Sequence, residues 1–268
     1  GKIDLYNTEI RHWHIGFSSD ATQLVINTSK DGQFSMRRIA PKDAGMARSK
    51  VGSWNQGDIW ASFLDFDNDS RPDIFLASSD YPGTFASLFR QVPSSTVDKP
   101  GFRDVAELAG VKHPRAAGIA IVDIDGDGDQ DLIIGSSLMR CKESEGCPWK
   151  KAEVHVYENL IGQDSNWSQI SLRGKGKGGA NRLGIGARIS VTAGGVTQTQ
   201  EISGGYGHFG MQNGLTAHFG LGASCSIDKI EVRWPNSTGS VQTFTNVRAN
   251  YRLVIEEGKD KPMYIVKK

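Results

Sequence analysis

Two short stretches of this chain carry acidic residues densely enough to do chemistry. In the first, Asp65, Asp67, Asp69 and Asp73 stand at positions 1, 3, 5 and 9 of a loop. In the second, Asp123, Asp125, Asp127 and Asp131 stand at the same four positions, 58 residues further on. Carboxylates packed this closely repel one another unless a cation lies between them. Oxygen-only donors at this density suit a hard cation that takes many ligands, which is calcium. Magnesium keeps several waters and needs fewer carboxylates, so it is the second choice. Position 7 is Arg71 in one loop and Asp129 in the other. An arginine side chain cannot coordinate a cation, so a ligand from position 7 is expected to be the backbone carbonyl. Gly126 and Gly128 give the second loop freedom for a tight wrap, and Pro72 stiffens the first. The expectation is two calcium ions, one per loop.

The elements around the loops are strands. An EF-hand would place Glu at position 12, but Leu76 and Ile134 stand there. WASFL precedes the first loop and DIFLA follows it; AGIAIV and DLIIG flank the second. Each loop therefore sits inside a unit of strand, acidic loop, buried strand and further strands, with SLFRQ and FRDVAELAGV completing one unit and AEVHVYENL the other. The hairpin LVINTSKDGQF with its Lys30-Asp31-Gly32 turn reads as the back half of an earlier unit. A repeat of about four strands is the unit of a β-propeller blade. So few units cannot close a propeller, and an open stack leaves bare strand edges. The chain is thus expected to be part of a longer protein, or to have its missing blades supplied by another chain.

DFDNDSRPDIFLA and VDIDGDGDQDLIIG resemble the calcium loops of FG-GAP/VCBS repeats, the propeller repeats shared with the integrin α-subunit head. The resemblance covers residues 22 to 160. It implies that the ions tie blade strands together through Asp65, Asp67, Asp69, Asp73, Asp123, Asp125, Asp127 and Asp131, with the carbonyls of Arg71 and Asp129 as additions. AGIA stands where the name motif of that family would be.

After the polar stretch IGQDSNW the acidic loops stop and short strands and turns continue. ARISVTA and VTQTQEI alternate around Gly194-Gly195, a hairpin signal, and SIDKIEVRW and YRLVIEE read as two more strands. NRLGIGARISV, GGYGHFGMQNGLTAHFGLG and IDKIEVRWPN resemble the ASPIC/UnbV domain, which commonly follows such repeats, as in cartilage acidic protein-like chains. That resemblance implies architecture more than activity. The fold class is all-β: partial propeller blades over residues 1–160, then a small sandwich-like or barrel-like β domain over residues 161–268.

Composition narrows the function. Among 268 residues, hydrophobic residues make up 38% and net charge is +1, so nothing global pulls the chain toward nucleic acid or an anionic membrane. No run approaches the length of a membrane span. Cys141 and Cys147 bracket the polar stretch CKESEGC and read as a disulfide that staples a surface loop, with two free thiols as the alternative. Cys225 is expected to be a small buried residue. Gly174, Gly176 and Gly179 spell G-x-G-x-x-G, but no helix pattern follows, so a dinucleotide site is set aside. Lys175, Lys177 and Arg182 leave a sulfated or phosphorylated ligand conceivable there, against a default of a solvated loop. His12, Trp13 and His14 read as a surface strand rather than a metal site. Tyr206, His208, Phe209, Met211 and His218 crowd one segment, which reads as packing more readily than as a ligand pocket.

No catalytic motif is present, and the chain is expected not to be an enzyme. The preferred function is a secreted or cell-surface module, periplasmic or outer-surface in a bacterium. It would bind a protein or glycan, with the Met139–Lys151 insertion and Trp149 as the contact surface. The alternative is a non-catalytic subunit or targeting domain of a larger enzyme or complex.

Overall fold

The computed structural model describes residues 4–8, 22–47, 58–77, 83–94, 101–139, 144, 146–205 and 211–265. The described residues form five sheets and no α-helix, with a short 3₁₀ turn at Gly162–Asp164. His12, Trp13, His14, Cys141, Tyr206, His208 and Phe209 lie outside them.

The first sheet has the order β1 (Leu5–Asn7), β2 (Gln23–Asn27), β3 (Met36–Ile39). β2 and β3 form the expected hairpin, in which Asp31 (φ 53°) and Gly32 (φ 77°) take the left-handed conformation that such a turn requires. The second sheet runs β4 (Trp60–Leu64), β5 (Asp73–Ala77), β6 (Ser87–Val92), β7 (Gly101–Asp104) as an antiparallel meander. The third contains β8 (Ala116–Val122), β9 (Asp131–Ser136) and β10 (Val154–Tyr157), in the order β10-β9-β8. These three sheets are propeller blades, and β5 shows how they stack. Ile74 and Leu76 point to a core shared with Leu24, Ile26 and Ile39 of the first blade. Phe75 and Ala77, alternating with them, point to a core shared with Ile119, Ile121, Leu132 and Ile134 of the third. Both faces of β5 are covered, which is why all five of its residues are buried.

The remaining two sheets enclose a separate core. One is ordered β14 (Thr216–Gly222), β11 (Asn166–Arg173), β17 (Tyr251–Glu256), β18 (Met263–Ile265), with β11 and β17 parallel. The other is ordered β13 (Val196–Glu201), β12 (Arg188–Ala193), β15 (Ser226–Arg233), β16 (Val241–Arg248). Ile170, Phe219 and Leu253 of the first sheet meet Ile189, Ile230 and Phe244 of the second. Trp234 is fully buried there and its indole N–H donates to Gln242 Oε1 at 2.8 Å. The Gly194-Gly195 hairpin forms as expected, joining β12 and β13. Strand β16, by contrast, was not legible: VQTFTNVR breaks its alternation with exposed Thr245 and Asn246. Cys225 is exposed rather than buried, because it lies in the turn that leads into β15.

The outer face of the β14-β11-β17 sheet is the feature that matters for function. Trp167 and Gln169 of β11, His218 and Gly220 of β14, and Arg252 of β17 alternate with core residues and so point away from the core. They press directly on both acidic loops. Nearby, Asn213 joins this domain to the blades, accepting from Ile121 N (3.1 Å) and donating to Ser62 Oγ (2.9 Å).

Candidate metal centres

The two loops share one hydrogen-bond plan. The carboxylate at position 1 accepts from backbone N–H groups within its own loop. Asp65 takes those of Asp69 and Ser70, both at 2.9 Å, and Asp123 takes those of Gly126 (2.6 Å) and Gly128 (3.0 Å). The carboxylate at position 9 closes the loop. Asp73 accepts from Phe66 N (3.2 Å) and Gln91 N (2.7 Å), and Asp131 from Ile124 N (2.7 Å) and Asn159 N (2.8 Å). Each position-9 residue thus ties the loop to the strand-end two chain segments on, which explains why Asp recurs there.

This plan brings three carboxylates of each loop together. Oxygens of Asp65, Asp67 and Asp73 lie within 4.8 Å of one another, as do those of Asp123, Asp125 and Asp131. Asp69 and Asp127, expected as ligands at position 5, do not join these clusters. Asp69 is drawn instead to guanidinium groups, pairing with Arg71 and with Arg90 at 3.3 Å. Asp127 accepts from Asp129 N (3.0 Å) and from Gln163 Nε2 (2.9 Å). The Arg71 side chain reaches Asp69 and the Gln91 carbonyl, consistent with only its backbone being available to a cation.

Burial makes these carboxylates poor anions on their own. Asp73 and Asp131 are at most 1% exposed and Asp65 6%. Burial first, then the charges of Asp69 and Asp67, pushes Asp65 up to about 7. Burial also drives Asp73 to about 8, and the neighbouring Asp67 and Asp65 add to it. Asp129 is likewise raised to about 8 by burial and by Asp127 beside it. Buried polar atoms are normally satisfied. Here Asp67 Oδ1 and both carboxylate oxygens of Asp129 are buried with no hydrogen-bond partner. Acceptors without donors, gathered with like charges, fit a hard divalent cation.

Two arginines that local sequence patterns could not reveal hold the loops in register. Arg90 of β6 pairs with Asp67 Oδ2 at 2.5 Å. Arg252 of β17, 129 residues from loop 2, pairs with Asp123 Oδ2 at 2.8 Å. Gln169 Nε2 donates to the same Asp123 oxygen at 2.7 Å. Asn68, at position 4 of loop 1 and in the left-handed conformation (φ 56°), is the hub between the two loops and the second domain. Its Nδ2 donates to the carbonyls of Gly128 (3.4 Å) and Gly162 (3.1 Å), which fixes Oδ1 as an acceptor. His218 Nε2 therefore carries the proton and donates to Asn68 Oδ1 at 2.6 Å. Burial lowers the His218 imidazole to about 4, so it is neutral. Gly220 and Gly128 permit this contact. A Cβ at Gly220 would lie 2.1 Å from Asp65 Oδ2, and one at Gly128 1.7 Å from the Trp167 ring.

Three other candidates resolve differently. The G-x-G-x-x-G loop is filled by the protein itself: Glu257 Oε2 accepts from Lys175 N (2.8 Å) and Ala180 N (2.9 Å). Burial opposes the charge of Glu257, but these donors and Asn236 outweigh it and hold its carboxyl below the usual range. With that carboxylate seated in the loop, the backbone donors that an outside phosphate or sulfate would use are already taken. Trp149, expected to face a partner, is half-buried; it stacks on His113 (4.9 Å), packs on His155 (4.6 Å) and donates to the Pro114 carbonyl (3.1 Å). Met211 is buried between the second and third blades, as packing rather than as a pocket wall.

Residues 65–134 match the family described as FG-GAP-like repeat, and residues 176–262 match ASPIC and UnbV. The chain is 31% identical over 175 residues to cartilage acidic protein 1 of Xenopus tropicalis, a match that covers 64% of this chain and 24% of that protein. It is 30% identical over 183 residues to the Homo sapiens protein of the same name, with the same coverage. The chain thus spans about a quarter of the length of these curated relatives. Residues 65–134 are thus similar to FG-GAP-like repeats, residues 176–262 to ASPIC and UnbV, and the chain to a stretch of cartilage acidic protein 1.

Proposed function

We propose that this chain is an extracellular interaction module without catalytic activity of its own, stiffened by two calcium ions, one per acidic loop. The observation that carries the reading is the threefold carboxylate cluster built twice in one register, accompanied by buried oxygens that lack any donor. Asp65, Asp67 and Asp73 would hold one ion and Asp123, Asp125 and Asp131 the other, with the Arg71 and Asp129 carbonyls as further donors. The bound cation supplies neutralising charge, which allows both loops to remain buried beneath the second domain. FG-GAP-like repeats and similarity to a cartilage protein favour a setting outside the cell, where calcium modules commonly bind at about 0.1–1 mM. No helix among the described residues is long and apolar enough to cross a membrane. A disulfide between Cys141 and Cys147 belongs to the same reading; Cys147 is not among the free cysteines, and Cys141 lies outside the described residues. The partner is a protein or glycan, met by the exposed rim of the blades or by the second domain.

Calorimetric titration of the chelator-treated chain with calcium tests this. The expected result is two sites and a melting temperature raised by calcium. A silent titration together with a melt unchanged by EDTA would overturn it.

A further inference from the structure

The metal loops and the second domain meet at one carboxylate, Asp123, and its two oxygens have different partners. Oδ2 accepts three donors: Gly128 N at 3.0 Å, Gln169 Nε2 at 2.7 Å and Arg252 Nη2 at 2.8 Å. Oδ1 accepts one, Gly126 N at 2.6 Å. The oxygen that faces the second domain is therefore saturated, and the other retains acceptor capacity. Beside them stand the unpartnered Asp129 oxygens, on a residue only 1% exposed, and the gathered oxygens of Asp125 and Asp131. Loop 1 meets the second domain differently: both oxygens of Asp65 are held by backbone of the loop itself, and the contact is made through Asn68.

We propose that Gln169 and Arg252 are positioning residues for a cation in loop 2, and that filling this loop and docking the second domain are therefore linked. This rests on the calcium reading above. Hydrogen-bond partners behind a metal ligand fix its orientation, and their loss typically weakens metal binding about 10–100-fold. Here those partners sit on β11 and β17 of a different domain. Linkage is reciprocal: a docked domain holds Asp123 in place for the cation, and the cation relieves the repulsion from Asp125 and Asp131 that would otherwise displace Asp123 from the position in which Gln169 and Arg252 reach it. Calcium removal is thus a signal transmitted from the Asp123 carboxylate of loop 2 to the domain interface, whereas loop 1 meets that domain through Asn68 and not through a clustered carboxylate.

The test compares the full chain with the Gln169→Leu/Arg252→Met double variant and with Arg252→Lys. Calcium affinities are measured by calorimetry, and docking by hydrogen exchange over residues 166–173 with and without EDTA. In the wild type, EDTA should raise exchange in that segment. In the double variant, one of the two affinities should fall about tenfold or more, the other should stay within twofold, and exchange should be high regardless of calcium. Arg252→Lys, which keeps a charged donor, should recover part of the lost affinity; a variant that merely disturbs folding would not show this pattern. Two wild-type sites that both persist unchanged in the double variant would overturn the linkage and leave the calcium reading standing. No calcium binding by the wild type would overturn both.

Discussion

Loops 1 and 2 have the same spacing of acids and the same backbone plan, yet they are neutralised from different places. Loop 1 draws its counter-charge from its own blade: Arg90 lies two strands along the same sheet, and Arg71 lies in the loop itself. Loop 2 draws it from the second domain, through Arg252. The shared part is set by local geometry, since the position-1 and position-9 carboxylates satisfy nearby N–H groups and fix the shape of the turn. The part that differs is set by long-range packing, which a repeated sequence does not control. A repeat can therefore keep its chemistry while its surroundings assign each copy a separate role.

The shared half predicts equal damage. Asp73→Ala and Asp131→Ala each strip the acceptor from two backbone N–H groups and remove a proposed ligand. Each should lower stability by about 2–4 kcal/mol in denaturant unfolding. A large effect in one loop beside a negligible one in the other would show that the common plan is not structural.

Acidity should separate the filled protein from the empty one. In empty loops Asp65, Asp73 and Asp129 hold protons up to about 7, 8 and 8, whereas in the unfolded chain they release them near 4. A raised folded-state value gives stability that is complete below the unfolded value and lost as pH rises through the folded one. The chelated protein should therefore lose this contribution between about pH 4 and 8. Calcium takes the place of those protons, so the gap in melting temperature between calcium and EDTA should widen from pH 5.5 to pH 8. A gap that is constant or shrinks would contradict the burial-driven frustration of the loops.

The smallest effect concerns the half that differs. Arg90→Met removes the guanidinium from Asp67 and Asp69. It should weaken one calcium site by about tenfold while hydrogen exchange over residues 166–173 keeps its wild-type response to EDTA. If that response were lost, the Asn68–His218 contact would also carry the state of loop 1 to the second domain, and the contrast between the loops would fail.

Much of this was legible from residue order alone. The acidic spacing marked both loops, and the runs of apolar residues after each loop marked β5 and β9 as buried strands. Glycine and aspartate at the turns marked two hairpins correctly. What escaped were contacts made by residues remote in sequence. Nothing near Arg252 or Gln169 signals that they end on Asp123, and Glu257 gives no local hint that it fills a glycine-rich loop. The surroundings of position 5 were hidden for a similar reason, since Arg90 reaches Asp69 from another strand of the blade. The partners of Trp149 were hidden in the same way: His113 lies in the loop before β8 and His155 within β10, and only the fold brings them together.

The parallel pairing of β11 with β17 has a consequence for how the chain is made. Ser168 lies beside Tyr251, 83 residues later, so this ladder closes a long loop before it gains any contacts. Such non-local pairing is slow to form, and during synthesis Arg252 leaves the ribosome long after both acidic turns have emerged. For that interval the blades exist as a nascent unit with an uncovered, strongly negative patch. On the calcium reading proposed above, the ion would reach that patch first, and the late-arriving domain would close over turns that are already loaded.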